Sequence, residues 1–165
     1  MMPLPQKFDQ NEWFIIISLA VGVVTVILLP RRFPLSVSIL MMVFAATVAR
    51  TLDHLLAGPT IDVYNITDTG RYDLFDLITY TLYAPFAYIF VYIFDRFNIK
   101  GYWILLYVVI ASLLGTLYEW LCVVFDVFNY KGWNIKYSYG FYLSTQPLTL
   151  LFFRYIMGKA EGKKG

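Results

Sequence analysis

Charged residues, cysteine and histidine are all scarce in this sequence, and each shortage excludes a class of protein. Only 15% of its 165 residues are charged, whereas soluble domains carry about 25%. A formal net charge of +2 is too small to attract a nucleic-acid backbone, so we expect no nucleic-acid partner. The single cysteine, Cys122, has no partner for an internal disulfide. It lies in an apolar run, where we expect it to pack as a small core residue.

Motifs for catalysis and for cofactor binding are missing as well. The only histidine is His54, and a zinc site needs three or four protein ligands. The sequence has no glycine-rich phosphate loop and no nucleophile elbow. Asp68-Thr69-Gly70 spells the tripeptide of aspartic proteases, but that chemistry needs two such carboxylates sharing a proton. We therefore expect no cofactor, and we favour a protein that is not an enzyme.

Apolar and aromatic residues are what the sequence has in abundance. Hydrophobic residues make up 59% of the chain and aromatic residues 19%. One small core cannot hide this much apolar surface, so a lipid bilayer is the expected surrounding. Tyrosine and tryptophan are enriched where a membrane meets water. The composition therefore predicts an all-α fold, a polytopic transmembrane helix bundle.

Five apolar runs approach or exceed the roughly 20 residues that cross a bilayer. They predict one transmembrane domain, residues 1–165, with spans at about 13–29, 35–57, 73–94, 102–125 and 138–157 and a flexible tail at 158–165. The first run ends without a small-residue cleavage site, so we interpret it as a retained anchor. The fifth run is the most polar. We find no internal repeat in the sequence.

The distribution of Lys and Arg predicts the orientation in the membrane. One set of alternate connections holds Arg31, Arg32, Arg96, Lys100, Arg154, Lys159, Lys163 and Lys164, and the other holds Lys7, Arg71, Lys131 and Lys136. Cytoplasmic loops are the richer in these residues. We therefore predict a multi-pass protein of the cell membrane with its N-terminus outside and its C-terminus in the cytoplasm.

Charged residues inside the predicted spans gather at one depth, near the outer surface. Arg50, Asp53 and His54 lie near the outer end of the second span. Asp76 lies near the outer start of the third, and Glu119 in the outer third of the fourth. An ionised group in lipid costs about 2.5–3.5 kcal/mol, so these groups must face one another or water. Arg50 can neutralise two carboxylates through its fork of donors, which leaves a surplus of negative charge.

This cluster has more than one interpretation. The first is a site that binds or passes a small cation or a proton. The alternative is a structural or assembly subunit of a membrane complex, with ion pairs that only fix helix packing, acting as a homo-oligomer or with other membrane subunits. A third is an intramembrane enzyme acting on a lipid, in which Asp73 and Asp76 bind a divalent ion.

Helical spacing also places polar residues on shared faces. Asp73, Asp76, Tyr80 and Tyr83 share one face of the third span, because residues three and four apart are neighbours on a helix. On the fourth span a stripe of small and polar residues consists of Ser112, Gly115, Thr116 and Glu119. Small residues allow helices to approach closely, and hydroxyl groups bond across the contact.

Several segments, mostly in the C-terminal half of the chain, resemble a known group of proteins. They are Tyr118-Glu119-Trp120, Asn129-Tyr130-Lys131-Gly132-Trp133-Asn134, Tyr137-Ser138, Asp76-Leu77, Tyr83-Ala84-Pro85, and Tyr92 with Asp95. Together they are similar to small, uncharacterised five-helix membrane proteins of spore-forming Gram-positive bacteria. The resemblance implies five spans and a bacterial origin, but no activity. The segment from Arg50 to His54 does not match that pattern.

Overall fold

Five helices form the molecule in the computed structural model, which describes residues 8–57, 61–66 and 74–162 without the side chains of Asp76 and Glu161. The elements are α1 (Gln10–Leu28), α2 (Leu35–Leu56), β1 (Tyr64–Ile66), α3 (Leu74–Arg96), α4 (Trp103–Val124), β2 (Phe128–Tyr130) and α5 (Ile135–Glu161). The predicted all-α bundle is confirmed. The structure extends α5 to Glu161, into the segment that we expected to be a flexible tail.

Local signals in the sequence account for the helix ends. The side chain of Asp9 accepts a hydrogen bond from the backbone N–H of Asn11, and the Glu12 carboxylate accepts one from the backbone N–H of Asp9. This reciprocal capping satisfies donors that the first turn of α1 leaves without helical partners. Between α3 and α4 the chain reverses at Asn98 and Gly101, whose φ values are 48° and 58°. Both lie in the left-handed region that a tight turn requires.

Helix α3 is the centre of the bundle. It packs against α1, α2 and α5, while α4 packs against α5. Of the apolar window in each helix, 44% is buried in α3 but only 11% in α2 and in α4. Large side chains such as Leu28, Leu35 and Leu105 are 76%, 75% and 69% exposed. This apolar outer surface is the one expected to face lipid.

Within the described residues, four helices, α1 to α4, are long and apolar enough to cross a membrane. The fold is therefore that of a multi-pass membrane protein. Helix α5 has 27 residues and is about 40 Å long at the α-helical rise. Its lower apolar content keeps it outside that group, so the fifth span stays a prediction.

Polar residues of α5 contact α4. The Ser112 hydroxyl donates to the side-chain oxygen of Gln146 at 3.2 Å. The ring of Tyr142 packs so closely on Gly115 that a Cβ there would lie 3.2 Å from it. The small, polar stripe that we predicted on α4 is thus a helix contact.

Two short strands, in segments between the predicted spans, form an antiparallel pair. Tyr64 lies opposite Tyr130, Asn65 opposite Asn129, and Ile66 opposite Phe128. Helices α2 and α4 end at this sheet, and α1, α3 and α5 begin beside it. We call this end of the bundle the strand end.

The opposite end, called the loop end, carries the short connections between α1 and α2 and between α3 and α4. Arg32, in the connection between α1 and α2, pairs there with Asp95 near the end of α3. Its guanidinium forms an ion pair with the Asp95 carboxylate and donates to the Asp95 backbone oxygen at 3.1 Å.

Close packing between α1 and α3 leads to a first prediction. A Cβ on Gly22 would lie 2.9 Å from the ring of Pro85, which cannot move like a flexible side chain. Gly22→Ala should therefore destabilise the protein by about 1–3 kcal/mol through overpacking, measured as a lower Tm in detergent. Gly140→Ala on α5, where the space is open, is the control and should not lower the Tm. Equal Tm values for the two variants would contradict the α1–α3 contact.

Candidate functional site

Asp53 forms the first of two carboxylate sites at the strand end. It lies in the last turns of α2, and its side chain is only 6% exposed. The Tyr64 hydroxyl of β1 donates to one carboxylate oxygen, and the Tyr80 hydroxyl of α3 donates to the other at 2.5 Å. A buried carboxylate needs such donors because it has lost its hydration. Asp53 thus joins three elements through its two oxygens.

Two cationic groups on α2 lie beside this carboxylate. The Arg50 guanidinium carbon lies 5.1 Å from the centre of the Tyr80 ring. Arg50 and the exposed His54 are both close enough to attract the charge of Asp53. Three of the five predicted site residues therefore gather around one carboxylate. The side chain of Asp76, the fourth, lies outside the described residues.

Glu119, the fifth predicted residue, forms the second carboxylate site. One of its oxygens accepts hydrogen bonds from the Tyr130 hydroxyl of β2 and from the Ser138 hydroxyl of α5, both at 2.5 Å. The indole N–H of Trp133 donates to the Ser138 oxygen at 2.8 Å. The Tyr142 hydroxyl also lies close enough to interact with the Glu119 carboxylate. Hydroxyl donors from a strand and from a helix surround this carboxylate, as they surround Asp53.

Tyr83 of α3 lies between the two sites. Its phenol is close enough to both Asp53 and Glu119 to interact with the charge of each. The two carboxylates are thus held by separate donors but share tyrosine neighbours, because Tyr64 also interacts with the charge of Glu119. Among the described residues, Asp53 and Glu119 therefore form two neighbouring carboxylate sites.

The two strand tyrosines remain protonated donors. Burial, followed by the nearby charge of Asp53, raises the pKa of Tyr64 well above its ordinary value. Burial, followed by the hydrogen bond to Glu119, raises the pKa of Tyr130. In both cases loss of the phenol proton would place a second negative charge beside a carboxylate.

Sequence reasoning missed several of these residues. Tyr64 and Tyr130 were assigned to connections, and Ser138 was placed only at the start of a span. A signal was present, since each carboxylate is followed by its strand tyrosine after the same interval of 11 residues. Glu12, which is 0% exposed at the strand end of α1, was also missed.

Comparison with protein-family models, curated proteins and solved structures finds no match. The resemblance to small bacterial membrane proteins therefore stays a prediction. The chemistry of the site has to be inferred from its own geometry.

Each site has two hydrogen-bonded states available to it. A tyrosine hydroxyl is both a donor and an acceptor, while a carboxyl group accepts when ionised and donates when protonated. A proton arriving at Asp53 can therefore be accommodated by reversing one bond, so that the acid donates to the oxygen of Tyr64 or Tyr80. The same reversal is available between Glu119 and Tyr130. The acid therefore has a hydrogen-bond partner in both its charged and its neutral form.

The Tyr80 hydroxyl provides a test of the Asp53 site. Tyr80→Phe keeps the ring but removes a hydrogen bond to a charged group, at a cost of about 1.5–3 kcal/mol. We expect a lower Tm in detergent. Tyr137→Phe is the control, because Tyr137 is 59% exposed and should tolerate the change. A Tyr80→Phe protein as stable as the control would show that the bond contributes nothing.

Proposed function

We propose that this multi-pass membrane protein takes up protons at Asp53 and Glu119. The observation that carries the proposal is the environment of Asp53, a carboxyl group 6% exposed on an apolar helix and held by two tyrosine hydroxyls. Carboxyl groups inside membrane helices are costly and are typical of proton and ion pathways. The hydroxyl partners supply a hydrogen-bonded arrangement for both the charged and the neutral acid.

The donor set favours a proton over a metal ion. The hydroxyl groups direct hydrogen atoms at the carboxylates, whereas a divalent ion needs several oxygen lone pairs directed at one point. In the part of the chain that the structure describes, no three His, Cys, Asp or Glu side chains come together as a metal site. The alternative is an enzyme that binds a divalent ion through Asp73 and Asp76. The side chains of both residues lie outside the part of the chain that the structure describes.

The orientation belongs to the same proposal. The strand end lies outside the cell membrane and the loop end in the cytoplasm, in agreement with eight Lys and Arg residues against four in the alternate connections. The sites then receive protons from the outer side.

A structural role is the second candidate, and one observation favours it. The tyrosine hydroxyls attach both strands to the helices, through Tyr64 to Asp53 and through Tyr130 to Glu119. Such contacts hold the bundle together whether or not a proton is exchanged. Proton uptake and packing therefore have to be separated by measuring protonation itself.

Infrared difference spectroscopy across a pH titration measures protonation directly. Reconstituted wild-type protein should show a carboxylic-acid carbonyl band that appears as the pH is lowered, because a neutral acid absorbs where a carboxylate does not. Asp53→Asn and Glu119→Gln should each weaken this band and should reduce proton uptake into vesicles. Asp62→Asn, at a half-exposed carboxylate paired with Lys131, is the control for uptake. Folded variants with unchanged band and uptake would leave only the structural role.

Cysteine labelling tests the orientation. Cys122 is buried, so a Cys122→Ala protein is a suitable background. In intact cells a membrane-impermeant maleimide should label Gly132→Cys, at an open position of the strand end. It should label Lys100→Cys, at the loop end, only after permeabilisation. The reverse pattern would place the strand end in the cytoplasm.

A further inference from the structure

The geometry points to an internal duplication, and we propose that α2–β1–α3 and α4–β2–α5 are two copies of one helix–strand–helix unit in which Asp53 and Glu119 are equivalent residues. Each unit then takes up its own proton, an extension that rests on the proposed function. The duplication itself rests on spacings and contacts that do not depend on function.

The first correspondence between the units concerns the carboxylate and the strand tyrosine of each. In each unit the strand tyrosine follows the carboxylate by 11 residues and donates a hydrogen bond to it. The two tyrosines, Tyr64 and Tyr130, lie directly opposite each other in the antiparallel pair.

The second correspondence lies in the helix that follows each strand. Tyr80 of α3 donates to Asp53, and Tyr142 of α5 interacts with Glu119. Five residues after each tyrosine comes the proline inside that helix, Pro85 in α3 and Pro147 in α5.

The third correspondence is the buried face beyond each proline. The positions three, six and nine residues after the proline are buried in both helices. They are Tyr88, Val91 and Phe94 in α3, and Leu150, Phe153 and Ile156 in α5. The residue types differ while the buried positions agree, which is why no repeat is visible in the sequence alone.

The packing within each unit follows the same division, and α2 also contacts α5 across the two units. Helices α2 and α4 each have 22 residues, and each packs against the helix that follows it, α3 and α5 respectively. Helix α1 lies outside both units and packs against α3. Membrane proteins built from parallel repeats place their binding sites at the repeat interface, and Tyr83 occupies that position between the carboxylates.

The two units differ in one connection. The strand tyrosine precedes the helix tyrosine by 16 residues in the first unit and by 12 in the second. Counting back four residues from each helix tyrosine, Ser138 of the second unit corresponds to Asp76 of the first. In sequence, the predicted site residue Asp76 is therefore the counterpart of Ser138, which donates to Glu119.

Asp53 and Glu119 share two tyrosine neighbours, Tyr64 and Tyr83. The groups known to act on Asp53 are Arg50, His54, Tyr64, Tyr80 and Tyr83, and those on Glu119 are Tyr64, Tyr83, Cys122, Tyr130, Ser138 and Tyr142.

Counting protons tests the equivalence. In the infrared carbonyl band of the reconstituted full-length protein, Asp53→Asn and Glu119→Gln should each remove a similar part of the amplitude, and the double variant should remove the sum of the two parts. The conservative Asp53→Glu and Glu119→Asp should keep the full amplitude, which controls for misfolding. A single variant that removes as much amplitude as the double variant would overturn the two-site proposal.

A stability comparison tests the duplication separately from proton uptake. Tyr80→Phe and Tyr142→Phe, at equivalent positions, should lower the Tm in detergent by similar amounts relative to Tyr137→Phe. A decrease at Tyr80 with none at Tyr142 would overturn the equivalence. A wild-type protein with no carbonyl band from Asp53 or Glu119 would contradict proton uptake. The stability comparison would still test the duplication.

Discussion

A carboxylate buried in a helix bundle needs hydrogen-bond donors, and this requirement organises the strand end of the molecule. Asp53 and Glu119 have lost most of the water that would solvate them, and tyrosine and serine hydroxyls replace it. A helix surface alone presents few such donors, because its backbone N–H groups are already bonded. The chain instead brings tyrosines from two strands above the helix ends. The small sheet therefore places a tyrosine hydroxyl beside each carboxylate.

The close approach of the helices depends on residues without bulk. The ring of Pro85 packs against Gly22, and the ring of Tyr142 packs against Gly115. In a membrane, helices gain little from apolar burial against one another, since lipid is equally apolar, and they associate through tight packing and hydrogen bonds. The contact at Gly115 has a second effect, because it brings Tyr142 beside Glu119. Packing and site geometry are therefore coupled along the α4–α5 contact.

Hydropathy predicted the helices, and the spacing of polar residues predicted part of the site. Lipid-facing runs such as α2 and α4 are governed by composition, so their bounds agree with the structure within a few residues. The stripe through Gly115 and Glu119 was also visible, because helical periodicity is a local property. The strand pair was not visible, since three-residue strands carry no period and the partners are far apart in sequence.

The duplication was hidden for a related reason. Packing at the buried positions constrains volume and apolarity but not residue type, so Val91 and Phe153 occupy equivalent places without resembling each other. Only the chemically constrained positions kept similar residues, and Tyr64 with Tyr130 and Pro85 with Pro147 are the pairs that remain. A repeat carried by so few residues is detectable once hydrogen bonds show which of them correspond.

Packing does not explain why the residues at positions 53 and 119 are charged. A contact that only held a strand against a helix would need an acceptor for a tyrosine hydroxyl, and an uncharged Asn or Gln side chain provides one. Buried charges are seldom favourable for stability, since the loss of hydration offsets their attraction. An acid near the end of a membrane helix adds a further cost, up to about 2.5–3.5 kcal/mol at the helix centre. Carboxyl groups differ from amides in one relevant respect, the ability to gain and lose a proton. Their presence at both equivalent positions therefore favours a role in which the proton itself is exchanged.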